Sequence, residues 1–144
     1  TLDKIVFSYG GDEDIEGGNY LILSKADVAA FAAIRSANGD KLYEIALQGN
    51  TGTITSKGSF RVPFIINSVC PVLSAVGTAD ETYCMAYGKL ATYEMPIFSP
   101  VTIEESRDYK FRTGQIAYRG AVWVGGNVGA YKGFARVKKV AAGA

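Results

Sequence analysis

An α+β domain is the fold the sequence predicts, and three observations predict it. Helical signals lie ahead of Gly39: Leu2, Ile5, Val6 and Tyr9 fall at i, i+3, i+4 and i+7, and Ser24-Lys25-Ala26-Asp27 opens a second helical run. Most of the chain behind them is short apolar or alternating runs of strand type, broken by Gly and Pro. At 144 residues, 48% hydrophobic and 20% charged, the chain suits one domain with a single core, which would bury about two thirds of its unfolded surface.

Taken in order, the Leu2–Tyr9 stripe predicts a short helix, and Gly10 to Gly18 reads as a polar loop bracketed by glycines. Asn19-Tyr20-Leu21-Ile22-Leu23 is a strand-type run. Ser24 then reads as an N-cap with Asp27 in the first turn, serving both the orphan N–H groups and the positive end of the helix dipole. Val28, Phe31 and Ile34 should line the buried side of this helix, with Asn38-Gly39 as its end. Ala46 to Ser59 is rich in Gly, Thr and Ser and predicts a long, mobile surface loop. Pro63 within Phe60–Leu73 confines that segment to a sheet edge or a strand start. Thr82 to Tyr93 reads as two short strands around Tyr87-Gly88-Lys89. Val101 and Ile103 resume alternation, Phe111 to Val124 is the strongest strand signal, and Gly125-Gly126-Asn127 turns the chain towards Phe134–Val137. Only Ala141–Ala144 reads as a frayed tail.

Several function classes fall away on composition. Fifteen Lys and Arg against fourteen Asp and Glu leave a formal charge of +1 with the basic residues scattered, so nothing marks a nucleic-acid binder. No apolar run approaches the roughly 20 residues that cross a bilayer, and no membrane partner is expected. The chain has no histidine, which removes catalytic triads in their usual form and the commonest general base near neutral pH. Cys70 and Cys84 stand among apolar neighbours and read as buried free thiols; with no histidine beside them they make no zinc set, and an intracellular setting is expected. Asp12-Glu13-Asp14-Ile15-Glu16 lacks the calcium-loop spacing, with glycine at the sixth and glutamate at the twelfth position. Val124–Gly133 matches neither phosphate-loop pattern and is expected to be a turn between strands. No catalytic residue, metal or cofactor is expected, and the reading is of a protein that is not an enzyme.

The order of elements nevertheless resembles a known family. Asn19–Ser24, a helix, Arg35-Ser36-Ala37-Asn38-Gly39-Asp40-Lys41-Leu42-Tyr43, a loose segment, Phe60–Ile66, Tyr87-Gly88-Lys89, a charged knot and two closing β runs together resemble the C-terminal part of tailed-bacteriophage major capsid proteins of the Hong Kong phage fold. Arg61 stands where that family usually has glycine, and Lys89 where it often has aspartate. The resemblance implies an axial domain, a mixed sheet flanked by helices, over 1–103 and 129–140, with a protruding peripheral β segment over 104–128 and a tail over 141–144. It also implies a structural subunit that self-assembles into capsomers enclosing DNA. Its partners would be copies of itself and other virion and scaffolding proteins, with packaged DNA held only non-specifically, in a virion capsid assembled in the bacterial cytoplasm. Glu104, Glu105, Arg107, Asp108, Lys110 and Arg112 would then lie on a loop and strand start where neighbouring capsomers approach. Two alternatives stand beside this: a nanocompartment shell protein of the same fold, and a small β-rich ligand-binding module whose pocket is lined by Tyr83, Tyr87, Tyr93 and Trp123.

Overall fold

The computed structural model describes residues 2–10, 17–57 and 60–140, with the backbone alone at Lys110 and Phe111. The acidic loop at Asp12–Glu16 and the tail from Ala141 lie outside the described residues. In chain order the elements are α1 (Leu2–Phe7), β1 (Asn19–Leu23), α2 (Lys25–Ala33), β2 (Tyr43–Gln48), β3 (Thr51–Ser56), β4 (Arg61–Ile66), β5 (Tyr83–Lys89), β6 (Tyr93–Glu94), β7 (Thr102–Lys110), β8 (Gln115–Ala121), β9 (Asn127–Val128) and β10 (Phe134–Lys138). Six of the strands form one mixed sheet in the order β10-β5-β1-β4-β3-β2, in which β1 and β4 are the one pair of parallel neighbours among the described residues.

Strand alternation sends one set of side chains towards the two helices. Leu21, Leu23, Ile54, Val62 and Phe64 are fully or almost fully buried on that face. Tyr87 meets Tyr9, just beyond α1, edge to face at 5.5 Å, and Tyr43 meets Phe31 of α2 at 5.8 Å. The other face carries Tyr20, Ile22, Pro63 and Ile65, all half-buried. The fully apolar run of β1 thus feeds both sides of a central strand.

α2 opens as expected. Asp27 N–H donates to Ser24 Oγ at 3.2 Å, and Ser24 Oγ donates to Asp27 Oδ2 at 2.8 Å, a reciprocal cap. Its end differs, because Ile34 turns extended after Ala33 and is 39% exposed. Gly39, at φ +86°, instead closes a turn to Ser36 within the segment bridged by Arg35 and Lys41.

Four strand expectations are corrected. Ala46–Ser59 is not a long loop: most of it is β2 and β3, joined by a two-residue turn at Gly49-Asn50 where Gly49 takes φ +62°. Thr and Ile alternate there, so Ile54 reaches the core between Ile45 and Val62 while the threonines face away. Pro63 sits in an interior strand. Asn67 N–H donates to Leu23 O and Ile66 N–H to Asn50 O, so alternation aims the proline nitrogen at β1, one residue before that ladder begins at Leu21 and Phe64.

Thr82–Tyr93 holds one continuous strand, β5, followed by a 3-10 turn at Leu90–Thr92 and then β6. Gly88 lets the start of β10 lie close, since a Cβ there would come 2.4 Å from Gly133 O. Phe111–Val124 is likewise not one strand. Phe111–Thr113 is a 3-10 turn and β8 follows it.

A charged arm outside the sheet

Between β5 and β10 the chain leaves the sheet as a paired ribbon. β6 and β9 pair at Tyr93–Val128 and Glu94–Asn127, and Ile97 bridges Val124. Phe98 N–H donates to Trp123 O at 2.8 Å and Gly125 N–H to Pro96 O at 3.0 Å. β7 and β8 continue the arm, with Thr102 opposite Ala121 and Ser106 opposite Ala117, then an irregularity before Lys110 meets Gln115. Val124–Gly133 is not simply the expected turn between strands: Gly125-Gly126-Asn127 runs on in the ribbon, Asn127–Val128 is β9 and the turn comes only at Ala130–Lys132, with no helix to hold an anion.

The arm holds the expected contact residues together, although not on a loop. Glu104, Glu105, Arg107, Asp108 and Lys110 belong to β7 itself, and Arg112 lies in the 3-10 turn between the strands. The correction follows from pairing: a charged side chain costs little in a strand whose faces both meet water. Pairing also sets their faces. Glu104 stands opposite Arg119, and Glu105 opposite Tyr118 on the other side, where Ile103 and Ile116 also point. Glu105 accepts from Arg107 Nε at 2.6 Å. Ile103, Tyr109 and Tyr118 are each about two thirds exposed or more, so apolar and ionic groups share one uncovered surface.

The four aromatics read as a pocket are not brought together. Tyr87 belongs to the core, Tyr83 lies under the Arg136 guanidinium at 4.2 Å, Tyr93 is on β6, and Trp123 is exposed on the arm. Strand direction separates them, because Tyr87 faces the helices and Trp123 lies beyond the sheet altogether. Two features escaped the sequence reading. One is an apolar groove of about 730 Å³ beside β10, lined by Ile5, Phe31, Leu73, Met85 and Val137 among others. The other is Asp27, buried at 2% exposure, which accepts from Leu73 N–H (3.0 Å), Ser74 N–H (3.2 Å) and Ser74 Oγ (3.2 Å). Neither carries a local sequence signal, since each is made by segments far apart in the chain.

Burial pushes the thiols of Cys70 and Cys84 and the Tyr87 hydroxyl above their ordinary ranges. The cysteines are free, Cys84 buried and Cys70 partly so. Among the described residues no group of three or more Cys, Asp or Glu gathers as a metal site, and no helix is long and apolar enough to cross a membrane.

The described residues thus form a two-layer domain with a charge-bearing, two-stranded ribbon outside its sheet. Comparison gives this domain its family: the model of the phage capsid family matches residues 1–139, and the chain belongs to that family. A solved chain from the capsid of an empty GTA particle is similar in structure, with a TM-score of 0.67 at 15% identity over 97% of this chain. The present chain spans 44% of that one, less than half its length. No curated protein matches.

Proposed function

We propose that this chain is the sheet-bearing part of a structural shell subunit, which self-associates into capsomers and a closed capsid around DNA. The observation that carries it, beside the family, is the arm: a two-stranded ribbon is at best marginally stable alone in water, and this one exposes both faces. Residues 1–103 and 129–140 serve as the axial domain and 104–128 as the peripheral segment, although the paired ribbon already starts at Tyr93. Copies of the chain are the principal partners, with other virion and scaffolding proteins beside them and packaged DNA held only non-specifically. Assembly takes place in the host cytoplasm.

In this reading Glu104, Glu105, Arg107, Asp108, Lys110 and Arg112 meet neighbouring capsomers. Opposed charges at such a rim fix register and penalise wrong docking more than they add affinity. Repetition by symmetry then lets many weak contacts close a shell.

Arg107→Glu and Asp108→Lys, made one at a time in the full-length subunit, test this. Each should lower the yield of closed shells about tenfold or more, as like charges are brought together, without changing the melting temperature of the subunit. Normal shells from both variants would overturn the assignment.

A further inference from the structure

The six-stranded sheet ends on both sides in an open edge. β2 and β10 are its outermost strands, about 24 Å apart, and among the described residues no strand lies beyond either. β2, Tyr43-Glu44-Ile45-Ala46-Leu47-Gln48, is lightly defended as an edge: it has no lysine, no proline and an unbroken six-pair register with β3, and Glu44 is its one charge.

Hydrogen-bond parity shows which groups each edge offers. Lys57 N–H donates to Leu42 O, so even-numbered residues of β2 face β3, and the N–H and C=O of Tyr43, Ile45 and Leu47 face outward. On the far side Lys139 N–H donates to Thr82 O and Glu81 N–H to Lys139 O, so Phe134, Arg136 and Lys138 face outward from β10. β1, β4, β2 and β10 all run the same way; β3 and β5 run opposite.

From this we infer that, in the ring of copies that the proposed shell requires, β2 of one copy adds in parallel to β10 of the next and makes the sheet continuous around the ring. The inference rests on the shell reading. A parallel ladder matches an outward-bonding residue with one that bonds away from it, so Tyr43, Ile45 and Leu47 match Ala135 and Val137; of the registers this allows, the proposal takes Ile45 with Ala135 and Leu47 with Val137. All four side chains lie on the helix face, so the helices of both copies stay on one side of the joined sheet. Antiparallel addition would match Ile45 with Arg136 and put the helix layers on opposite sides, which a rotational ring does not allow. Rings also need two different patches on opposite sides of the subunit, and the two edges are that.

The side chains agree with this register. Leu47, 54% exposed, is carried onto Val137, a wall of the 730 Å³ groove that is otherwise open beside β10. Glu44 lands on the open face, one diagonal step from Arg136 of the neighbour.

Two changes in the full-length subunit test it. Leu47→Pro removes an outward N–H and no bond to β3, a placement that edge strands tolerate, so the subunit should fold while rings seen by native mass spectrometry fall about tenfold or more. Independently, Leu47→Cys combined with Val137→Cys should give, on mild oxidation of assembled rings, a ladder of covalent multimers that neither single cysteine gives. Rings from the unmodified subunit with no such ladder would overturn edge pairing and leave the shell reading standing. No ring from the unmodified subunit under any assembly condition would remove both.

Discussion

Asp27 shows how much one residue can hold. As the third residue of α2 it reads as a first-turn acid, and its cap with Ser24 is legible in the spacing alone. The rest of its role is not, because Leu73 and Ser74 arrive from more than forty residues away. Both carboxylate oxygens face donors: Oδ2 accepts from Ser24 Oγ and Leu73 N–H, and Oδ1 accepts from Ser74 N–H and Oγ. Asp27→Ala leaves several of these buried and unpaired and should cost about 3 kcal/mol in urea unfolding. Asp27→Asn should recover little of that, since its amide group turns N–H towards N–H. Ser24→Ala, which removes only the cap, should cost about 1 kcal/mol. An asparagine variant as stable as the parent would show that the acceptor pair is not what the site requires.

At the scale of elements, the sequence was legible wherever local chemistry decides. α2 begins at its cap, and β1 and β10 fall where their apolar runs lie. It was illegible where a partner strand decides. Thr51–Ser56 has a single strong apolar anchor, Ile54, and became a strand because β2 and β4 flank it on both sides. Pro63 was tolerated inside the sheet at the end of the β1–β4 ladder, one residue before its first pair, Leu21 with Phe64. The arm is the opposite case, an element with pairing but no packing. Its amides should therefore report the difference. In the isolated chain β1, β4 and β5 should exchange slowly and β7 and β8 fast, with β7 and β8 slowing at least tenfold in assembled shells. Equal protection of the arm in both states would mean that it gains no contact on assembly, and would remove it as the inter-capsomer surface.

For the molecule as a whole, alkaline pH is the condition that should find its limits. Cys70 and Cys84 ordinarily titrate near 9.0 and Tyr87 near 10.0, and burial raises all three in the fold. Lys138 is raised above its ordinary 10.5 by its hydrogen bond to Glu81. Each group therefore keeps its proton longer folded than unfolded. Where the folded state binds more protons, stability falls as pH rises. These contributions are fully present below pH 9, begin to fail there as the unfolded thiols ionise, and fail further above 10 as the unfolded tyrosine follows. Urea midpoints should be level from pH 7 to about 9 and then decline steadily. Replacing Cys70 and Cys84 by alanine together lowers stability at neutral pH, because Cys84 fills core volume. The same pair of changes should postpone the onset of the alkaline decline to about pH 10, where Tyr87 takes over. A decline that still begins near pH 9 in that variant would assign the alkaline limit to groups other than the buried thiols.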